Sequence, residues 1–260
     1  MSIAIALRDR GHEVAFYTHA DAQDLVEGEG FRVFPCKSVD RSNWARVRAM
    51  ESATDTRGQS PRIALRAFQD WLVGSMPGQI ADLQPIIECW QPDVLVSDPT
   101  MWGPILVLWE TTGIPVAISS FIPACLVPGP GAPAWGLGLP PPRTPAARLL
   151  ARGLARATDL LARGVRRRAD AVRAAHGLGP MGCSANAFTG RLPLYLVPSV
   201  PELDYARRDL PPCVRYVGPL VWNRPGREAA PAWLDELPTG RPWVHVTEGT
   251  SHSQEPYVLR

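Results

Sequence analysis

Two short apolar runs, VLV at residues 94–96 and PVAIS at residues 115–119, flank a helical stretch at residues 102–112 that stops at Gly113. Strands this short and this apolar are those buried on both faces of a parallel sheet. A strand, a helix and a second strand in that order make a βαβ unit. The same punctuation recurs toward the N-terminus. Residues 2–10 read as the end of an amphipathic helix closed by Gly11, residues 12–18 (HEVAFYT) as a strand, residues 20–29 as a helix ended by Gly30, and residues 31–35 (FRVFP) as a second strand. A long amphipathic stretch covers residues 61–90, with Ile63, Leu65, Phe68, Trp71 and Leu72 on one side and a continuation after Pro77 and Gly78. Further strands are expected at residues 192–197 and 214–218. The chain is therefore expected to be α/β, a Rossmann-like, doubly wound parallel sheet whose ligands bind at the carboxyl ends of the strands.

Residues 123–145 interrupt this pattern with eight prolines, too many for a helix or a central strand. A loop of that length inside a compact domain is usually functional or disordered. Thr144 or Pro145 then opens a helical segment over residues 145–176, which carries Arg148, Arg152, Arg156, Arg163, Arg166, Arg167, Arg168 and Arg173 against Asp159 and Asp170. Its Leu149, Leu150, Leu154, Leu160, Leu161 and Val165 are expected to pack on the sheet and leave a solvated basic face. A contact with an anionic membrane is the lesser expectation for this helix, and one with nucleic acid is weaker still. Residues 223–242, with four prolines, two glycines and several charges, read as an interdomain linker. Beyond it, residues 243–247 (WVHVT) read as a new strand, 248–250 as a turn and 254–260 as the beginning of a helix. No internal repeat occurs.

Composition excludes several classes. At 45% hydrophobic and 20% charged over 260 residues, the chain is neither disordered nor a coiled coil. A net charge of +2 gives no global attraction to nucleic acid. No uncharged apolar stretch approaches the ~18 residues of a spanning helix, and the charges close behind the apolar start are unlike a secretory signal, so a cytoplasmic location is expected. Cys36, Cys89, Cys125, Cys183 and Cys213 are an odd, scattered set without a CxxC pair. They read as reduced and mostly buried, with neither a disulfide framework nor a zinc site. No metal cluster is expected.

Four segments in order carry a resemblance: LRDRGHEVAFYT at 7–18, PDVLVSDP with GIPVA at 92–99 and 113–117, VPSVPELD with RYVGPL at 197–204 and 215–220, and RPWVHVTEGT at 241–250. Together they resemble the landmarks of family 1, GT-B fold glycosyltransferases, above all the bacterial macrolide and UDP-glucosyl transferase types. The resemblance implies an acceptor-binding Rossmann-like domain over residues 1–222 without its first strand, a linker over 223–242, and over 243–260 the first strand and turn of a nucleotide-sugar-binding domain. Both ends thus read as cut. The implied reaction is inverting transfer of a hexose from a nucleotide sugar to a hydroxyl of a small apolar acceptor such as a macrolide, a polyketide or another natural product. Neither a metal nor another cofactor is implied.

In that family a histidine in a GHxxP turn after the first strand is the base and a later aspartate orients it. Asp98 matches the aspartate, and its place at the end of an apolar strand agrees independently with where such a fold presents polar groups. As a bland alternative Asp98 caps the turn before Pro99. The GHxxP turn does not occur in the chain, so the histidine that Asp98 would orient is expected upstream of Met1. His12 reads as a surface or packed residue, and His19 is a weak substitute. Gly249 and Thr250, in a strand-to-helix turn, are the expected donor-binding pair, since amides at a helix N-terminus hold a diphosphate. Trp102, Phe121, Ile122, Trp135 and Leu137 are the expected acceptor wall. For Trp102 and Phe121, core packing competes with that role. The alternative function is a catalytically inert acceptor-binding or scaffold module that relies on a second chain for the donor. An α/β hydrolase is a distant third reading, since no GxSxG elbow occurs.

Overall fold

A computed structural model describes residues 1–40, 42, 45, 61–120, 131–132, 139, 141–204, 207–222, 231–244 and 246. The N-terminal part is helix α1 (Ser2–Arg8), strand β1 (Ala15–Thr18), helix α2 (Gln23–Glu27) and strand β2 (Arg32–Pro35). β1 and β2 run parallel, with Ala15 opposite Arg32 and Thr18 opposite Pro35. Ala4, Val26 and Phe31 form a small core beneath them, and Phe16 meets Phe31 edge to face at 5.4 Å. Met1 stands at the N-cap of α1, where its carbonyl oxygen accepts from the Ile5 amide at 3.0 Å and its half-buried side chain packs against this small core. Gly11 and Gly30 both sit at positive φ, which lets the chain reverse from helix to strand without a side-chain clash.

Helix α3 (Pro61–Trp90) runs unbroken through Pro77 and Pro85, so the amphipathic stretch expected over residues 61–90 is one helix. Both prolines lie on its exposed face, and each deprives the carbonyl four residues before it, of Val73 and of Ala81, of a helical donor. The opposite face buries Val73, Met76, Ile80, Leu83 and Ile87, spaced as one helical stripe. Gly78 is required by contact: a Cβ there would lie 2.4 Å from the Ser38 carbonyl oxygen. Asp82 fixes the same junction by accepting from the Tyr17 hydroxyl (2.9 Å), the Lys37 amide (2.8 Å) and the Ser38 amide (3.0 Å).

Strand β3 (Leu95–Ser97), a π-helical segment (Pro104–Leu108) continued by α4 (Trp109–Thr112), and strand β4 (Val116–Ser119) follow. After them come α5 (Pro145–Leu161), α6 (Arg163–Ala175), α7 (Ala185–Thr189), β5 (Leu194–Val197) and β6 (Val214–Tyr216). β3, β4, β5 and β6 form one parallel sheet in that order. Gly113 closes α4 in the left-handed conformation at φ 73°, the position at which a glycine is favoured. Thr144 caps α5 by accepting from the Ala147 amide, with Pro145 in the first turn, as the sequence led one to expect. Val116, Ala117 and Ile118 are buried, so β4 is covered on both faces, whereas β5 buries Tyr195 and Val197 on one face and leaves Leu194 and Leu196 half-buried on the other. Among the described residues, no helix is long and apolar enough to cross a membrane.

Several expectations need correction. Val94 and Val96 are 47% and 46% exposed. These two residues share one face of the β3 segment, which lacks cover among the described residues, and β3 has a strand partner on one edge only. The segment at 145–176 is two helices that meet at Ala162, and Leu149, Leu150, Leu160 and Leu161 are exposed instead of packed on the sheet; only Val165, Ala169 and Arg173 of the pair are buried. Residues 243, 244 and 246 lie in no strand, since a strand needs a hydrogen-bonded neighbour and none lies against them among the described residues. Cys36, Cys183 and Cys213 are half-buried and Cys89 is exposed, so none of these four is a core residue, and none of them is in a disulfide. Cys125 lies outside the described residues.

Candidate functional site

Asp98 follows β3 directly and stands at the carboxyl end of the parallel sheet. The turn that holds it is local. Its Oδ1 accepts from the Thr100 amide at 2.8 Å and from the Thr100 hydroxyl, while its carbonyl oxygen accepts from the Met101 amide at 3.0 Å. Asp98 is exposed, and among the described residues its Oδ2 has no hydrogen-bond donor. The bland and the functional readings thus coexist: one oxygen caps the turn, and the second is left for another group.

The helical segment that leaves this turn is fixed from behind. Gln79, buried in α3, accepts from the Gly103 amide at 2.7 Å and donates to Ser75 at 2.9 Å. A Cβ on Gly103 would fall 2.8 Å from that of Gln79, so the close approach depends on glycine. Trp102, one residue earlier, is half-buried and packs against the main core. At the end of β4, Ser120 is buried, its amide donates to the Leu196 carbonyl at 2.9 Å, and its Oγ accepts from the Tyr195 hydroxyl at 3.2 Å.

Phe121, Ile122, Trp135, Leu137, Gly249 and Thr250 lie outside the described residues. The Pro-rich loop is nonetheless tied down at one point the sequence did not suggest. Asp209 accepts from the Gly131 amide at 2.9 Å and from Arg207 at 3.1 Å. Burial pushes the Asp209 carboxyl up, but Arg207 and the Gly131 amide outweigh it and hold it below the usual carboxylate range. A side chain at 131 would collide with Asp209, since its Cβ would lie 2.6 Å from Oδ1. The two residues are 78 positions apart, and no local pattern signals the pair. Asp209→Ala should therefore release the loop and speed chymotryptic cutting within residues 121–140 several-fold. An unchanged cutting rate, with the protein still folded, would mean that the loop is held elsewhere.

Of the histidines, His12 is exposed in the turn before β1 and His19 is half-buried just after that strand. Neither hydrogen-bonds to Asp98, whose side chain bonds only to Thr100 among the described residues. Met1 belongs by its contacts to the packing of α1 and not to the Asp98 turn. No group of three or more His, Cys, Asp or Glu able to hold a metal ion occurs among the described residues.

Comparison with known proteins places this geometry. No family model matches the chain. It is 38% identical over 251 residues to the 4'-demethylrebeccamycin synthase of Lentzea aerocolonigenes, an alignment that covers 95% of this chain and 59% of that protein. Its relatives and structural neighbours are family 1, GT-B fold glycosyltransferases.

Solved structures agree on the fold. A glycosyltransferase of kitacinnamycin superposes with a TM-score of 0.56 at 20% identity, over 89% of this chain and 51% of that one. A glycosyltransferase of Streptomyces sp. SF2575, complexed with thymidine diphosphate, gives 0.53 at 17% identity, over 92% and 53%. The expected Rossmann-like α/β architecture with parallel strands is thus borne out. The chain spans about three fifths of the length of its curated relative and about half of the solved chains.

Proposed function

We propose that this chain is the acceptor-binding part of an inverting glycosyltransferase that moves a hexose from a nucleotide-diphosphate sugar to a hydroxyl of an apolar natural product. The observation that carries the reading is Asp98: an exposed carboxylate at the carboxyl end of a parallel strand, with one oxygen spent on its own turn and the other free of donors among the described residues. The 38% identity to a protein named as the synthase of a natural product supports the substrate class. The neighbour complexed with thymidine diphosphate supports a nucleotide-sugar donor.

In the proposed reaction a histidine that is not among residues 1–260 takes the proton of the acceptor hydroxyl. Asp98 holds its imidazole in the productive tautomer and stabilises the imidazolium that forms. The acceptor oxygen bonds to the anomeric carbon as the bond from that carbon to the diphosphate oxygen breaks, and the nucleoside diphosphate leaves. Gly249 and Thr250 contact the diphosphate, whose charge is met by backbone amides and side chains instead of a cation. Trp102, Phe121, Ile122, Trp135 and Leu137 supply the apolar wall for the acceptor. Residues 1–222 are the acceptor domain, 223–242 the linker and 243–260 the start of the donor domain.

Two measurements test this. Apolar aglycones should quench the tryptophan fluorescence of the 260-residue chain, and Trp135→Ala should weaken their binding about tenfold with the fold intact. In an enzyme lengthened to the extent of its relatives, Asp98→Asn should lower kcat about a hundredfold and leave acceptor affinity unchanged. Aglycone binding that ignores Trp135, or a kcat that ignores Asp98, would remove the corresponding residue from the site.

A further inference from the structure

Helix α5 has no buried residue, although its sequence is strongly amphipathic. Leu149, Leu150, Leu160 and Leu161 are 67%, 61%, 53% and 82% exposed. On a wheel of 3.6 residues per turn these leucines, with Ala146, Gly153 and Ala157, fill an arc of roughly 120°. The side turned to the protein is a different one, where Ala147, Ala151 and Leu154 are half-buried. Arg148, Arg152 and Arg156 form an exposed ridge along one flank of the leucine arc, and Asp159 is the helix's one acidic residue. Arg163 and Arg167, also exposed, extend the basic surface into α6.

The anchoring of the pair belongs to α6. Val165 and Ala169 are buried, Arg168 meets Asp70 at 2.6 Å, and Arg173 is clamped against the π-helical segment. α5 thus extends from a fixed support, with its own cap at Thr144 and an apolar face that packs on nothing among the described residues.

We infer that α5 is a peripheral membrane helix that lies in the plane of an anionic bilayer. Its leucines enter the boundary between headgroups and acyl chains, and the arginines of its flank pair with lipid phosphates. Charge decides the occupant: aliphatic side chains bordered by guanidinium groups match a surface that is apolar within and anionic at its rim. The arginine stems add apolar length while their heads stay at the phosphates. Nucleic acid offers phosphates but no apolar layer for four leucines. The helix lies on the surface and is too short to span it.

The test is co-sedimentation of the 260-residue chain with vesicles of phosphatidylcholine, alone or with roughly 30% phosphatidylglycerol. Binding to the anionic vesicles should exceed binding to the neutral ones about tenfold and should fall as salt rises. The combined change Leu149→Gln, Leu150→Gln, Leu160→Gln and Leu161→Gln should lower it about tenfold, as should Arg148→Gln, Arg152→Gln and Arg156→Gln together. None of these side chains is buried, so circular dichroism and the melting temperature should stay unchanged in both variants. Absence of binding to anionic vesicles, or binding that both variants retain, overturns the inference. So does a dimer that the leucine variant abolishes without vesicle binding in the parent, which would assign the face to a second copy of the chain.

Discussion

Arg173→Met should lower the free energy of unfolding by about 4 kcal/mol, read as a shift of the urea midpoint at constant slope. Arg173 is 3% exposed, and its guanidinium serves three elements at once. Nε donates to the Gly179 carbonyl at 2.9 Å, one terminal nitrogen donates to the Leu106 carbonyl, and the other meets the Glu110 carboxylate at 2.6 Å. The same plane lies 5.2 Å from the centre of the Phe188 ring. α6, the π-helical segment and the approach to β5 are therefore joined through one side chain. Methionine fills most of the volume but accepts and donates nothing useful there. It removes a donor from two carbonyls and the partner from Glu110; Gly179 and Glu110 are open to water, but the Leu106 carbonyl belongs to a fully buried residue and residue 173 is itself buried. Arg173→Lys should recover the charge pair but not the fork, so a loss of about 2 kcal/mol is expected. A loss under about 1 kcal/mol for the methionine variant would show that water replaces the guanidinium readily.

What sequence could and could not disclose follows from the range of the interactions. β4, Gly113 and the Thr144–Pro145 start of α5 were legible because the deciding residues are neighbours in the chain. Asp98 was legible for the same reason, since an apolar strand followed by an acid locates itself. Arg173 was not. It reads as one more positive charge on a basic helix, and partners far away in the chain, the Leu106 carbonyl at 67 residues and Glu110 at 63, make it a core residue. Continuity of α3 through Pro77 runs against proline's local argument for a break, and a stripe of five buried residues holds the helix on both sides of it. The leucines of α5 misled in the opposite sense. Their periodicity predicts burial, but amphipathicity states that a face needs an apolar neighbour without saying which one.

Asp82→Ala should cost about 3 kcal/mol at neutral pH, and the loss should shrink in acid. The residue is 9% exposed and takes three donors from chain segments 44 to 65 residues away, namely the Tyr17 hydroxyl and the Lys37 and Ser38 amides. Burial pushes its carboxyl up, but the hydrogen bonds from Ser38, Lys37 and Tyr17 prevail and hold it below the usual carboxylate range. A depressed folded value means that the stabilisation is fully present above the unfolded value of about 3.9 and is lost as pH falls through the folded one. The difference between parent and variant should therefore be flat near pH 7 and narrow below about pH 4. Gly78 offers an independent check on the same junction. Alanine there would put a methyl 2.4 Å from the Ser38 carbonyl oxygen and 2.9 Å from the Val39 Cα, both of them backbone atoms, so the segment must move off the helix and off Asp82. Gly78→Ala should thus break the contacts that Asp82→Ala removes. The double variant should cost less than the sum of the two by about 1 kcal/mol or more. Additive losses would mean that the helix and the chain after β2 are held by contacts other than this carboxylate.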